Sequence, residues 1–253
     1  MKALKIITSL FLTLFTVSCS NDDDSNNGPK GYFPTEIEAT GFANPNNDET
    51  IVIQYNTDNT ISRITLTDRE GSIRTKNYSY TNGKITRVDN SGFLGGPAIR
   101  TFVYNSSGKL SSIIDETGGD SETFAVSYNT TENTYTLTDG DTFGISLDAS
   151  NNPNLYSSSF FPNPNLTITL DDVNAGVFKN VVPQIALQFD LALFNSGHLF
   201  YFFNQKQINH YEFGVQDFEV VNSRDANDNI SVVEYNFTGS PIQLNITYQN
   251  RTL

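Results

Sequence analysis

Along most of the chain, large apolar residues stand at every second position, with Thr, Ser, Asn and charged residues between them. That spacing predicts half-buried β-strands, because successive side chains leave a strand on opposite faces. Short clusters of Asn, Ser, Gly and Asp interrupt the strands, and each reads as a hairpin tip. In the clearest, Tyr104 and Leu110 face each other behind residues 105–109, and Gly108 is placed where the turn needs a left-handed residue. The construction returns with Tyr55 and Ile61 around 56–60, with Asn59 in the left-handed position. Tyr80 and Ile85 enclose the type I′ pair Asn82-Gly83. Tyr128 faces Tyr135, Arg224 faces Ile230, and Phe237 is expected opposite Ile242 around a Gly239-Ser240 type II′ tip. Tyr55, Tyr80, Tyr104 and Tyr128 fall at nearly equal intervals, so the unit reads as a repeat.

Residues 37–43, 49–55, 143–147, 155–160 and 166–170 are further strand candidates; 90–97 and 117–120 read as longer connections, and Asn163-Pro164 as a turn. Neither connection resembles a phosphate loop. The alternation breaks from Asp171 to Gln207. Within that stretch, residues 181–203 are the most apolar of the chain outside its N-terminal segment. Ile185, Leu187, Phe189, Leu191 and Leu193 alternate like a strand, yet Pro183 can start a short helix with Ile185, Phe189 and Ala192 on one face. The segment either covers the core of the sheet or forms the wall of an apolar ligand site. The fold class is therefore mainly β: one large, curved antiparallel meander, a half-barrel or porin-like sheet, with one apolar covering segment that includes a short helix in one of its two readings.

The N-terminus sets the address. Lys2 and Lys5 precede an apolar run over 6–17 that is too short to span a bilayer, the form of a secretory signal. Thr16-Val17-Ser18-Cys19 resembles the lipobox of bacterial lipoproteins, with Thr16 where Leu is usual. The resemblance implies that Cys19, the sole cysteine, carries lipid after cleavage. Asp22-Asp23-Asp24 follows in a polar stretch. The chain thus divides into a signal peptide (1–18), an acidic flexible tether (19–31) of roughly 20 Å if random, and an antiparallel β domain (32–253). Net charge is −13 over 253 residues; without the signal, 13 basic residues face 28 acidic ones. Such a balance argues against nucleic acid, which requires a basic footprint.

The Cys-Ser-acidic start, the Tyr/Asn/Gly-Lys hairpins and the stretch from Asp171-Asp172 to Phe178-Lys179-Asn180 together resemble Bacteroidetes (flavobacterial-type) surface lipoproteins of unknown function whose sheet is porin-like. That family often carries Asn-Pro where this chain has Gly176-Val177. The hairpins are also similar to tyrosine–aspartate (Rhs-type) repeats. The resemblance implies a curved antiparallel sheet and an acidic surface-export signal after Cys19, with the periplasmic face as the alternative address. It implies neither an activity nor a pore. Outer-membrane strands need an apolar outward row over roughly 9–11 residues, whereas 72–80 is polar on both faces and 123–128 is short.

Candidate chemistry is sparse. The two histidines, His198 and His210, lie in no zinc or hydrolase spacing. The run Asp225-Ala226-Asn227-Asp228-Asn229 begins like a calcium loop, but Ile230 replaces the required Gly and Asn236 the bidentate Glu, so it reads as a hairpin tip. Asp139-Gly140-Asp141 and Asp171-Asp172 are the candidate carboxylate pairs of a hydrolase, although neighbours on a strand point to opposite faces. No cofactor, metal or catalytic residue is assigned; Cys19 is the one site residue, as the lipidation point. The expectation is a non-enzymatic, lipid-anchored binding or structural module at the outer membrane. Alternatives are a glycan-binding lipoprotein of a polysaccharide-uptake system, a carrier of an apolar ligand, and a carboxylate-dependent hydrolase. Tyr and Phe can stack on sugars, while the lack of Trp weighs against glycan binding.

Overall fold

A computed structural model describes residues 28–42, 48–92, 96–159, 165–193, 199–237 and 239–253. Sixteen strands follow one another among these residues: β1 (Lys30–Thr40), β2 (Glu49–Tyr55), β3 (Ile61–Asp68), β4 (Ile73–Thr81), β5 (Lys84–Ser91), β6 (Ala98–Tyr104), β7 (Leu110–Thr117), β8 (Asp120–Asn129), β9 (Thr134–Asp139), β10 (Asp141–Leu147), β11 (Pro153–Ser158), β12 (Asn165–Ala175), β13 (Lys206–Phe213), β14 (Gln216–Arg224), β15 (Ile230–Phe237) and β16 (Ser240–Thr252). Each pairs antiparallel with its neighbour in sequence, and β1 pairs with β16 from Lys30↔Thr252 to Thr40↔Gln243. The sheet is therefore a closed barrel, not the half-barrel expected. The closing pairs join opposite ends of the chain and leave no local signature. Closure removes both free sheet edges.

The predicted hairpins form in register. Tyr104 meets Leu110, Tyr80 meets Ile85, Tyr55 meets Ile61, Tyr128 meets Tyr135 and Arg224 meets Ile230. Gly108, Asn59, Asn82 and Gly83 all adopt positive φ, as the turns require. Two expectations are overturned. Phe237 pairs with Ser240 and Ile242 with Tyr235, because Gly239 (φ 88°) takes the second tip position. Residues 117–120 are no long connection: Thr117 pairs with Asp120, and Gly118 and Gly119 (φ 65° and 97°) make a two-residue tip.

Five tips share a pair of backbone hydrogen bonds, and four of them add one side-chain device. Asn105, Asp148 and Asp225 each accept, through Oδ1, the N–H groups two and four residues on, and Asp68 does the same at the opposite end of the barrel. The 56–60 tip has the same pair of backbone hydrogen bonds. The repeated tyrosine serves a second purpose. Tyr80 Oη donates to Ile61 O and Tyr104 Oη to Ile85 O, both at 2.8 Å, so each hairpin is tied to the one before it. Tyr55 reaches Pro34 O and Tyr248 reaches Ile230 O in the same way.

The inward row is apolar: Ile51, Ile53, Ile64, Leu66, Ile85 and Val88 are each at most 2 % exposed. The outward row is polar. Arg63 Nε donates to Asn77 Oδ1 at 2.7 Å, and Arg87 pairs with Asp89 at 2.6 Å with both side chains near half exposed. A membrane barrel shows the reverse, an apolar outer band about 25 Å tall around a polar lumen. No helix among the described residues is long and apolar enough to cross a membrane, which says nothing of the strands.

A sixteen-stranded barrel is too wide for its own side chains to fill. The connection between β12 and β13 supplies the missing volume. Residues 176–193 and 199–205 turn back into the barrel and carry two helices, α1 (Ile185–Leu193) and α2 (Leu199–Phe202). The helical reading of 185–193 holds because a lone segment inside a closed barrel has no strand to pair with and must satisfy its own N–H and C=O groups. It is buried on every side from Ala186 to Leu191, not on one face only. Phe178 stacks on Phe203 with ring centroids 4.2 Å apart, and Phe189 meets Phe143 at 6.1 Å. The described residues of the apolar stretch thus pack into the core of the barrel as a plug, the covering reading of 181–203.

Gly176 opens the plug. Its N–H donates to Gln205 O at 2.7 Å, and a Cβ there would lie 2.2 Å from Lys206 O. The close approach explains why this position is glycine.

Candidate functional site at the plug and mouth of the barrel

Polar groups inside an apolar barrel need partners, and helix α1 brings two. Gln188 accepts from Tyr156 Oη at 2.9 Å and donates to Phe203 O at 3.1 Å. Asp190 is fully buried among wall residues. Lys76 Nζ on β4 lies 3.1 Å from Oδ2, Tyr78 Oη donates to Oδ2 at 2.9 Å, and Arg100 Nη1 on β6 is 3.4 Å from Oδ1. Arg100 Nε is also 3.2 Å from Asp115 on β7. Burial pulls the Lys76 ammonium down to about 8, although Asp190 acts in the opposite direction. Burial, then the Asp190 charge, holds the Tyr78 hydroxyl well above its ordinary value. The cluster latches α1 to three strands of the wall. Sequence reading passed over it, yet a signal was present: Lys76 and Arg100 occupy inward-facing positions, in line with Tyr78 and Phe102.

Where α1 begins, the barrel mouth keeps an open crevice of about 290 Å³. Three hairpins supply its sides: Asn82 and Lys84 from β4–β5, Tyr104 from β6–β7, and Asn151 from β10–β11. Tyr135 and the plug residues Gln184 and Gln188 complete the polar lining. The turn chemistry fixes these groups. Asn82 and Asn151 stand at left-handed positions (φ 51° and 63°), and Gln184 Nε2 donates to Gly83 O at 3.0 Å. Lys84 Nζ donates to Gly108 O at 2.6 Å and lies 4.9 Å from the Tyr104 ring centroid. Beside it, Lys109 Nζ sits 4.1 Å from the Tyr128 centroid. The lining contains no carboxylate, although acids outnumber bases almost two to one along the chain.

The sequence-predicted candidates are scattered. Asp139 and Asp141 face each other across the Gly140 tip, at the end of the barrel away from the plug. Asp171 and Asp172 lie at the plug end. Asp171 accepts from Val173 N, Asn174 N and Asn174 Nδ2, and these bonds, the side chain of Asn174 first, hold its carboxyl below the usual range. Asp172 pairs with Lys206 at 2.7 Å. The two acid pairs therefore share no cleft. His210 on β13 contacts Asp217 on β14. Asp225 closes its own turn, as read from the sequence. Among the described residues no group of three or more His, Cys, Asp or Glu is placed to hold a metal. Cys19, His198 and Asn163-Pro164 lie outside the described residues.

No protein-family model matches the chain, and no curated protein matches it. Solved structures do. A porin-like protein from Bacteroides uniformis is similar over 85 % of this chain and 96 % of its own, with a TM-score of 0.53 at 15 % identity. Another, from Bacteroides vulgatus, covers 87 % of this chain and 99 % of its own, with a TM-score of 0.47 at 10 % identity. The first likeness shows a shared fold: the chain has the porin-like, antiparallel β-barrel architecture.

Proposed function

We propose that the protein is a non-enzymatic binding or structural module, held at the bacterial outer membrane by a lipid on Cys19 with its barrel outside the bilayer. One observation carries the reading: the barrel is inside-out relative to a pore, with Arg63, Asn77, Arg87 and Asp89 on its outer wall and an apolar, plugged interior. Such a wall belongs in water, so attachment to a membrane falls to the N-terminus. The acidic tether supports display on the cell surface, and the acidic balance argues against nucleic acid as a partner. Of the ligand classes, the polar crevice favours a hydroxylated molecule such as a glycan over an apolar one.

Protease treatment of intact cells is expected to release the barrel, and Cys19→Ser to abolish both fatty-acid labelling and membrane retention. Planar-bilayer recordings of the purified protein are expected to show no conductance steps. Stable channels, or retention of Cys19→Ser in the membrane, would refute the proposal.

A further inference from the structure

The mouth crevice is basic in an acidic chain. It holds one ammonium, two tyrosines and four side-chain amides, and its lining has no carboxylate. Lys84 gives one of its three N–H donors to Gly108 O, so the ammonium has two further donors and is already fixed in place. Tyr104 Oη is likewise anchored, to Ile85 O. A ligand would therefore meet donors that need little ordering, the condition under which binding is least penalised. At about 290 Å³ the crevice is near the lower limit of roughly 300 Å³ for small-molecule sites, room for one ring and not for a chain. Aromatic rings beside amides and a cation suit a ring that carries hydroxyls on its rim and one negative charge.

We propose that this crevice binds a single acidic sugar residue, its carboxylate at Lys84 and its hydroxyls at Asn82, Asn151 and Gln184. The inference deepens the binding-module reading and rests on it, but not on the lipid anchor: loss of Cys19 acylation would leave it standing, and an empty crevice would leave the anchor standing.

The test is titration of the full-length protein with sodium glucuronate, glucose and inorganic phosphate, followed by amide NMR shifts at Lys84, Asn151 and Gln184. Glucuronate is expected to move these signals saturably, with glucose and phosphate each at least tenfold weaker. Lys84→Gln should bring glucuronate down to the level of glucose. Asn151→Asp, which keeps a side chain tolerant of the left-handed turn, should abolish binding with thermal stability unchanged. Equal binding of glucose overturns the role of charge, equal binding of phosphate overturns the sugar, and absence of shifts with all three overturns the site.

Discussion

Replacing Asp190 with Asn tests the plug latch most directly. Both Lys76 and Asp190 side chains are fully buried and 3.1 Å apart. Even with its partner present, burial holds Lys76 at about 8, well below its ordinary 10.5, so part of the ammonium's lost solvation goes unrecovered. Asn keeps the shape and loses the charge that opposes this penalty, so Lys76 must sit charged in the core or shed its proton at neutral pH. Removing one member of a buried pair typically costs about 3–5 kcal/mol, and Asp190→Asn is expected to fall in that range. Urea unfolding at pH 7, followed by far-UV circular dichroism and tyrosine fluorescence (the chain has no Trp), measures it. A double variant, Lys76→Met with Asp190→Leu, removes both charges while Arg100 keeps Asp115. It should recover at least half of the loss. A cost below about 1 kcal/mol for Asp190→Asn, or a double variant as unstable as the single one, would refute the argument that this cluster carries the plug's electrostatics.

Three further expectations follow from the geometry. Because the folded-state value of Lys76 is depressed, the unfolded chain holds more protons between pH 8 and 10, so stability should rise by about 2 kcal/mol across that window; the rise should vanish in Lys76→Met, and above pH 10 the buried tyrosines, raised above their ordinary values, should reverse the trend. Tyr104→Phe removes the bond to Ile85 O and should cost about 0.5–1.5 kcal/mol, with Tyr80→Phe giving a similar loss by chemical denaturation. Gly176→Ala forces a Cβ against Lys206 O and should cost about 1–3 kcal/mol, read as a lower urea midpoint and faster amide exchange in α1.

The hairpins were readable because their information is local. Tip residues dictate φ, φ dictates twist, and the opposed Tyr and Leu confirm the register within a dozen residues. The Phe237 tip misled for the same reason: two pairings fit its composition, and only the position of Gly239 decides between them. Closure was not readable, since Lys30 and Thr252 meet across the whole chain. The plug's conformation was ambiguous by periodicity and became helical through its confinement. Of the site, Tyr104 and Asn82 stood out as structural residues, but nothing local places Gln184 or Asn151 in one crevice with Lys84. The inward charges at Lys76 and Arg100 were visible as polar breaks in apolar rows, and their common partner on α1 was not.

The antiparallel closure of β1 on β16 also dictates the order of assembly. Leu253 N donates to Pro29 O at 2.7 Å, extending the closure beyond the strand pairs themselves, so the last strand of the barrel to be made fastens the first. Until then the growing chain is an open ribbon with a raw margin, and the plug has no enclosed space to occupy. Such a ribbon must be kept from annealing to its neighbours until β16 is in place, and loss of β16 would expose that margin permanently.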